Sequence, residues 1–223
     1  MEMEKKTAGE KAVEFIENGM TLGLGTGSTV YYTILKIGEL VKKGLRIKAV
    51  STSSKTTELA KSLGINVVPL DSVENIDLVI DGADEIDSDF NAIKGGGGAL
   101  LYEKIVASLA KRVIWIVDSG KIVKKLGRFP LPVEIIPFGH THTVKGFQKA
   151  GMNPVLRQRD GNLYITDSGN YIADLHLGEI DNPHELSIFL NSRPGVVENG
   201  LFLKMSDIVI VGRGNTTEII NCR

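Results

Sequence analysis

Two stretches of this chain, Leu78-Val79-Ile80 and Val113-Ile114-Trp115-Ile116-Val117, are apolar at every position. A strand with one wet face alternates apolar and polar residues, so a strand apolar throughout is buried on both faces. Such runs end in acids, hydroxyls or glycines and alternate with segments of helical spacing. Ala8, Ala12, Phe15 and Ile16 recur on one helix face before Gly19; "TTELAKSLG" closes on Gly64; "KGGGGALLYEKIVASLAK" is a glycine turn feeding a helix. Strands predicted at Met20–Leu24, in "LRIKAVSTSS", in "IDLVIDGADEID" and in "RVIWIVDSGKIV" therefore build a mostly parallel sheet with helices on both faces, an α/β fold.

The texture changes at "LGRFPLPVEIIP", where Pro130, Pro132 and Pro137 crowd together. A domain boundary is expected there, with residues 1–127 and 204–223 forming the α/β domain and 128–203 a smaller insert. The insert reads as strand (133–136), helix (143–150), strand (154–159), an Asp160-Gly161-Asn162 turn, strand (163–166 or longer), helix (184–191) and a strand near Val196. That order is β-α-β-β-α-β, an α+β, ferredoxin-like arrangement. "SDIVIVGRG", residues 206–214, returns as one more strand of the first sheet.

Composition narrows the function. With 42% hydrophobic and 24% charged residues and a formal net charge of −1, the chain can bury a core and carries no basic stripe for nucleic acid. No run approaches the roughly 18 apolar residues of a membrane span, and the first residues have neither an apolar signal core nor a lipidation box. Cys222 is the sole cysteine, which excludes a disulfide framework and a cysteine-ligated metal cluster. A cytoplasmic protein with no nucleic-acid or membrane partner is expected.

The stretch "LGLGTGSTVYYTI", residues 22–34, reads as strand, glycine turn and helix. A dinucleotide fingerprint needs a third glycine where this chain has Ser28, and an acid after the second strand where it has Ser51, Thr52, Ser53 and Ser54. A nucleoside triphosphate loop needs a lysine that is absent. What remains is Thr26-Gly27-Ser28-Thr29 at a helix start, where backbone N–H groups, the dipole and three hydroxyls suit an anion. The plainer reading is that Ser28 or Thr29 caps the helix.

Further candidates follow along the chain. Asp81 and Asp84 end an apolar strand, where open α/β sheets place ligands. Lys94 precedes four glycines, more than a turn needs, which suggests backbone brought against a ligand. Glu103 follows on the helix. Taking Leu101 as zero, the wet residues Lys104, Ser108 and Lys111 fall at about 280–340° and Glu103 at about 200°, off the polar face. A carboxyl turned inward has its pKa raised by desolvation, which suits a general base. Lys121 in "DSGK" sits near a helix start, where a cation gains nothing from the dipole unless it meets an anion. His140 and His142 would share a strand face, but no third ligand accompanies them and no metal site is expected.

In this order and spacing, "GLGTGST", "DGADEID", "KGGGGALLYEKI", "DSGK" and the later "RPGVVENGLF" closely resemble the ribose-5-phosphate isomerases of the A type. The resemblance covers nearly the whole chain. It implies a Rossmann-like domain with a smaller α+β insertion, and interconversion of D-ribose 5-phosphate and D-ribulose 5-phosphate without metal or cofactor. Residue by residue, it makes Glu103 the proton acceptor. It makes Thr26, Gly27, Ser28 and Thr29, then Asp81, Gly82, Ala83 and Asp84, then Lys94, Gly95, Gly96 and Gly97 the substrate-binding loops. Lys121 would contact substrate and Lys5 would approach the phosphate. It also implies a homodimer or homotetramer.

The expected division of labour gives Glu103 the proton moved between C1 and C2, and Lys94 with the glycine N–H groups the oxyanion. Asp81 manages ring opening, Asp84 orients Lys94, and Ser28, Thr29 and Lys5 hold phosphate. Two rivals are a related aminosugar-phosphate deaminase/isomerase and a sugar-phosphate sensor module.

Overall fold

The computed structural model describes residues 1–222. In chain order the elements begin α1 (Glu2–Ala12), β1 (Thr21–Leu24), α2 (Ser28–Lys42), β2 (Lys48–Ser51), α3 (Ser54–Ser62) and β3 (Leu78–Gly82). Next come β4 (Glu85–Ile86), β5 (Ala92–Ile93), α4 (Leu100–Ser108), β6 (Val113–Asp118), β7 (Leu131–Ile135) and α5 (His140–Lys149). The remainder is β8 (Pro154–Leu156), β9 (Gln158–Arg159), β10 (Asn162–Leu163), β11 (Tyr171–Leu175), α6 (Pro183–Asn191), β12 (Val196–Asn199), β13 (Leu201–Phe202), β14 (Ile208–Arg213) and β15 (Thr216–Asn221). By internal packing the chain divides into two compact units. One comprises residues 1–83, 102–122 and the chain from Met205 on; the other comprises 84–101 and 123–204. The proline-rich boundary read from the sequence puts 84–101 with the first unit, whereas their packing is with the second.

The first unit holds a six-stranded sheet in the order β15-β14-β6-β3-β1-β2. Five strands are parallel, and β15 closes one edge as an antiparallel hairpin partner of β14. All six residues of β6 are buried, as its unbroken apolar run requires. Leu22, Leu24, Ile80, Ile114, Ile116 and Ile210 pack against Ala8 and Ala12 of α1 and Val30, Ile34 and Ile37 of α2. Val67, in the extended "INVVPL" stretch, makes only a single parallel bridge, to Ala49. Because β1 has β2 on one side and β3 on the other, the winding reverses between β1 and β3. That is where open sheets of this kind hold ligands, outside the carboxyl ends of the strands.

The second unit contains an antiparallel sheet in the order β12-β7-β11-β8. Val133, Ile135, Ala173 and Leu175 face Phe147 of α5 and Leu190 of α6 in its core. The sheet is the expected β-α-β-β-α-β pattern with one correction. The strand anticipated at 163–166 is instead half of a small hairpin, β9–β10, turned through Asp160 (φ +53°) and Gly161 (φ +78°). The third strand of the sheet is β11, beyond a second turn at Gly169 (φ +79°). A three-stranded sheet, β13-β5-β4, completes the unit.

Candidate active site

Within the first unit the chain leaves β1 at Gly25, whose N–H donates to the Ile80 carbonyl (3.0 Å). Thr26 N–H then donates to Asp81 Oδ1 (3.1 Å), which also accepts from Gly82 N–H (2.7 Å). Asp81, 1% exposed, therefore ties the first glycine turn to the end of β3. A Cβ on Gly25 would lie 1.9 Å from Asp81 Oδ1, so residue 25 has no room for a side chain. Alanine there should displace the carboxylate, destabilise the fold by about 1–3 kcal/mol and lower kcat/KM. Thermal unfolding with kinetics on Gly25→Ala checks both, and wild-type values for both would disprove the close packing.

Thr26 Oγ1 lies 2.9 Å from Thr52 Oγ1 and donates to Ser53 Oγ (2.8 Å), while Ser53 caps α3 by accepting from Thr56 N–H (3.2 Å). The hydroxyls that replace a dinucleotide site's acid thus brace the turn. Helix α2 starts on Gly27 (φ +132°), and no side chain caps it. The capping reading of Ser28 and Thr29 is corrected accordingly. Ser28 is exposed and Thr29 is 8% exposed at the positive end of a 15-residue helix.

Glu103 is 4% exposed on α4, the inward orientation expected from its helical position. The helix ends at Ser108, short of the anticipated Lys111, whose ammonium instead pairs with Asp77 Oδ1 (2.8 Å). Lys121, half-buried, closes the 3₁₀ turn Ser119–Lys121 after β6, with Asp118 accepting from Gly120 N–H (3.1 Å). A residue the sequence did not flag, Glu4, secures this turn. Its carboxylate accepts from Ser119 Oγ (3.0 Å), Ser119 N–H (3.3 Å) and Gly214 N–H (3.0 Å). The Gly214 N–H, then the Ser119 hydroxyl, holds the Glu4 carboxyl below the usual carboxylate range. Its neighbour Lys5 sits 3.8 Å from Glu2 at the start of α1.

In the second unit Asp84 and the second glycine run come together. Gly96 N–H donates to Asp84 Oδ2 (2.7 Å). Gly95 (φ +108°) needs the freedom of glycine to make the turn, which Gly98 N–H closes onto the Gly95 carbonyl (3.0 Å). Lys94 is 2% exposed. Its N–H donates to Gly200 O (2.9 Å), and its Nζ lies 5.3 Å from the centre of the Phe202 ring. Arg157 and Tyr164, also unflagged in the sequence, reach the carbonyls of this turn. No local pattern marks them, because the turn is more than fifty residues away in sequence.

The strand-face pairing of His140 and His142 is corrected: both lie in the first turn of α5, where residues two apart point to different sides. Among the described residues no group of three or more His, Cys, Asp or Glu is arranged to hold a metal ion.

Carboxylates and a helix start at the reversal point of a parallel sheet define the ligand end of an open α/β protein. Comparison with known proteins is specific beyond that. The family model described as ribose 5-phosphate isomerase A (phosphoriboisomerase A) matches residues 48–216. A ribose-5-phosphate isomerase A from Levilactobacillus brevis is 53% identical over 98% of this chain and 97% of its own. A D-ribose-5-phosphate isomerase solved in complex with phospho-erythronic acid superposes with a TM-score of 0.94 at 40% identity, covering 99% of this chain and 98% of that one. The ribose 5-phosphate isomerase of Plasmodium falciparum gives a TM-score of 0.94 at 36% identity, covering 99% of both chains. The chain belongs to the ribose 5-phosphate isomerase A family.

Proposed function

We propose that this chain interconverts D-ribose 5-phosphate and D-ribulose 5-phosphate, with Glu103 as the base. The observation that carries the reading is the Glu103 carboxyl, buried on the helix that follows the second glycine turn. Starting from the aldose, Glu103 takes the proton from C2, and the electron pair of that bond forms the C1–C2 double bond of an enediolate. The charge moves to O1. Glu103 returns the proton to C1, and the hydroxyl proton on O2 passes to O1, so that O1 ends as a hydroxyl and O2 as the ketone oxygen. Aldose and ketose are isomers, so the sequence needs no oxidant or reductant.

Lys94 and the N–H groups of Gly95 and Gly97 supply donors to the oxyanion, while Gly96 N–H fixes the turn on Asp84. Asp81 handles the hydroxyl proton when the sugar ring opens, and Asp84 holds the glycine turn through Gly96. Gly82 and Ala83, half-buried at the end of β3, line the substrate loop. Ser28 and Thr29 at the uncapped start of α2 hold the phosphate with Gly27, on a turn that Thr26 braces through Asp81 and Ser53; Lys121 and Lys5 add positive charge. Phosphate bound there contributes remote binding energy that positions C1 and C2. Phospho-erythronic acid, bound by a related isomerase, is a four-carbon acid whose planar, charged carboxylate resembles the planar, charged end of the proposed enediolate.

A coupled assay with ribose 5-phosphate in excess chelator tests the reading, and absence of ketose formation sinks it. Running glucosamine 6-phosphate in parallel addresses the rival reading, since release of ammonia would favour the deaminase. The double variant Ser28→Ala, Thr29→Ala should raise KM about tenfold or more at little cost to kcat, because the lost contacts act in ground and transition state alike. A lower kcat at unchanged KM would remove these residues from the phosphate role.

Among the described residues no helix is long and apolar enough to cross a membrane. We infer a cytoplasmic homodimer or homotetramer, as in the expectation from the sequence; light scattering of the purified chain would establish the oligomeric state.

A further inference from the structure

We propose that Arg157 is a positioning residue for the isomerisation, acting through the glycine turn; this rests on the isomerase reading above. Arg157 links β8 to β9, and its backbone is held on both sides. Its N–H donates to Ile172 O (2.8 Å) and its carbonyl accepts from Tyr164 N–H (2.9 Å). Its guanidinium makes two sets of bonds. Nε and Nη2 donate to Asp174 Oδ2 (2.9 Å) and Oδ1 (2.5 Å) on β11, a planar two-bond fork. Nη1 donates to the carbonyls of Gly95 (2.7 Å) and Gly96 (3.2 Å). The two charged side chains are 15% and 18% exposed, so the pair is largely withdrawn from water.

The consequence follows from peptide geometry. In a planar trans peptide the N–H points opposite to the carbonyl. Drawing the Gly95 carbonyl to Arg157 turns the Gly96 N–H the other way, and there Asp84 Oδ2 accepts it. Drawing the Gly96 carbonyl to Arg157 likewise turns the Gly97 N–H away from the guanidinium. A cation on a carbonyl oxygen polarises the peptide and strengthens its N–H as a donor. A run of glycines has no side chains to limit its conformations, and ordering it costs more entropy than any other sequence. An oxyanion site needs its donors fixed before the charge develops. Arg157, anchored through Asp174 to the sheet, supplies that fixation. Tyr164 adds to it, its hydroxyl donating to Gly97 O (3.3 Å) with its ring 6.0 Å from the guanidinium.

The test compares Arg157→Lys and Asp174→Asn with the wild-type chain, each confirmed as folded by thermal unfolding. Lysine lacks the planar fork and cannot hold Asp174 and both carbonyls together. In Arg157→Lys, kcat should fall about 10- to 100-fold, the scale of a weakened oxyanion donor. KM for ribose 5-phosphate should stay within about twofold, while Ki for phospho-erythronate rises in step with the loss in kcat/KM. Asp174→Asn should show a smaller loss, about three- to tenfold, with the same split. A merely structural role would weaken substrate and inhibitor equally. A folded Arg157→Lys enzyme with wild-type kcat, or with equal losses in KM and Ki, overturns the proposal. If Arg157→Lys does not fold, Asp174→Asn decides by the same criteria. Wild-type chain inactive on ribose 5-phosphate overturns the isomerase reading instead.

Discussion

Replacing Glu103 with glutamine lowers kcat at least about 100-fold and leaves KM nearly unchanged, the range set by loss of a general base. Glutamine matches glutamate in shape and can occupy the same buried position, so the fold should persist and the loss can be assigned to chemistry. The amide cannot accept the C2 proton. In the proposed arrangement phosphate is recognised by Ser28 and Thr29, so substrate binding should be spared. A deuterium label at C2 of the substrate gives a second readout. Wild-type enzyme exchanges it with solvent or carries it to C1, and the variant should do neither at a measurable rate. Near-normal turnover in Glu103→Gln would remove Glu103 from the role.

The second large effect is at Lys94. Its side chain is 2% exposed, beside the Phe202 ring, and its backbone is fixed to Gly200. Lys94→Met keeps a side chain of similar reach and removes both the charge and the donor. Loss of one preorganised oxyanion donor costs about 100- to 1,000-fold in kcat, and KM should move little because the charge it meets develops only along the reaction. Phospho-erythronate should bind the variant more weakly by a similar factor, since its carboxylate carries that charge from the start. An unchanged kcat, or a loss confined to KM, would assign Lys94 to substrate capture.

Much of this is legible in the sequence. The unbroken apolar runs at Leu78–Ile80 and Val113–Val117 announced buried parallel strands, because only burial on both faces tolerates such composition. The direction of Glu103 followed from helical geometry alone. What stayed hidden depended on partners remote in sequence. The strands Glu85–Ile86 and Ala92–Ile93 are two residues long; they pair with each other, and Ala92–Ile93 gains its place against Leu201–Phe202, more than a hundred residues on. Nothing in their own letters says so, and the proline-rich stretch drew attention to a later break. The strand at Tyr171–Leu175 was missed because the hairpin before it carries the stronger turn residues. Glu4 and Arg157 were invisible for another reason. Each is an ordinary charged residue whose importance comes from the loop it holds, and a loop's anchor leaves no periodic trace.

The space that Gly25 yields to Asp81 has a wider consequence. The turn that leads to the helix proposed to hold phosphate and the acid proposed to open the ring pack directly against each other, so neither can be adjusted alone. Directed evolution toward other sugar phosphates should find positions 25 and 81 changing as a pair, and single-site libraries at either should return mostly dead clones.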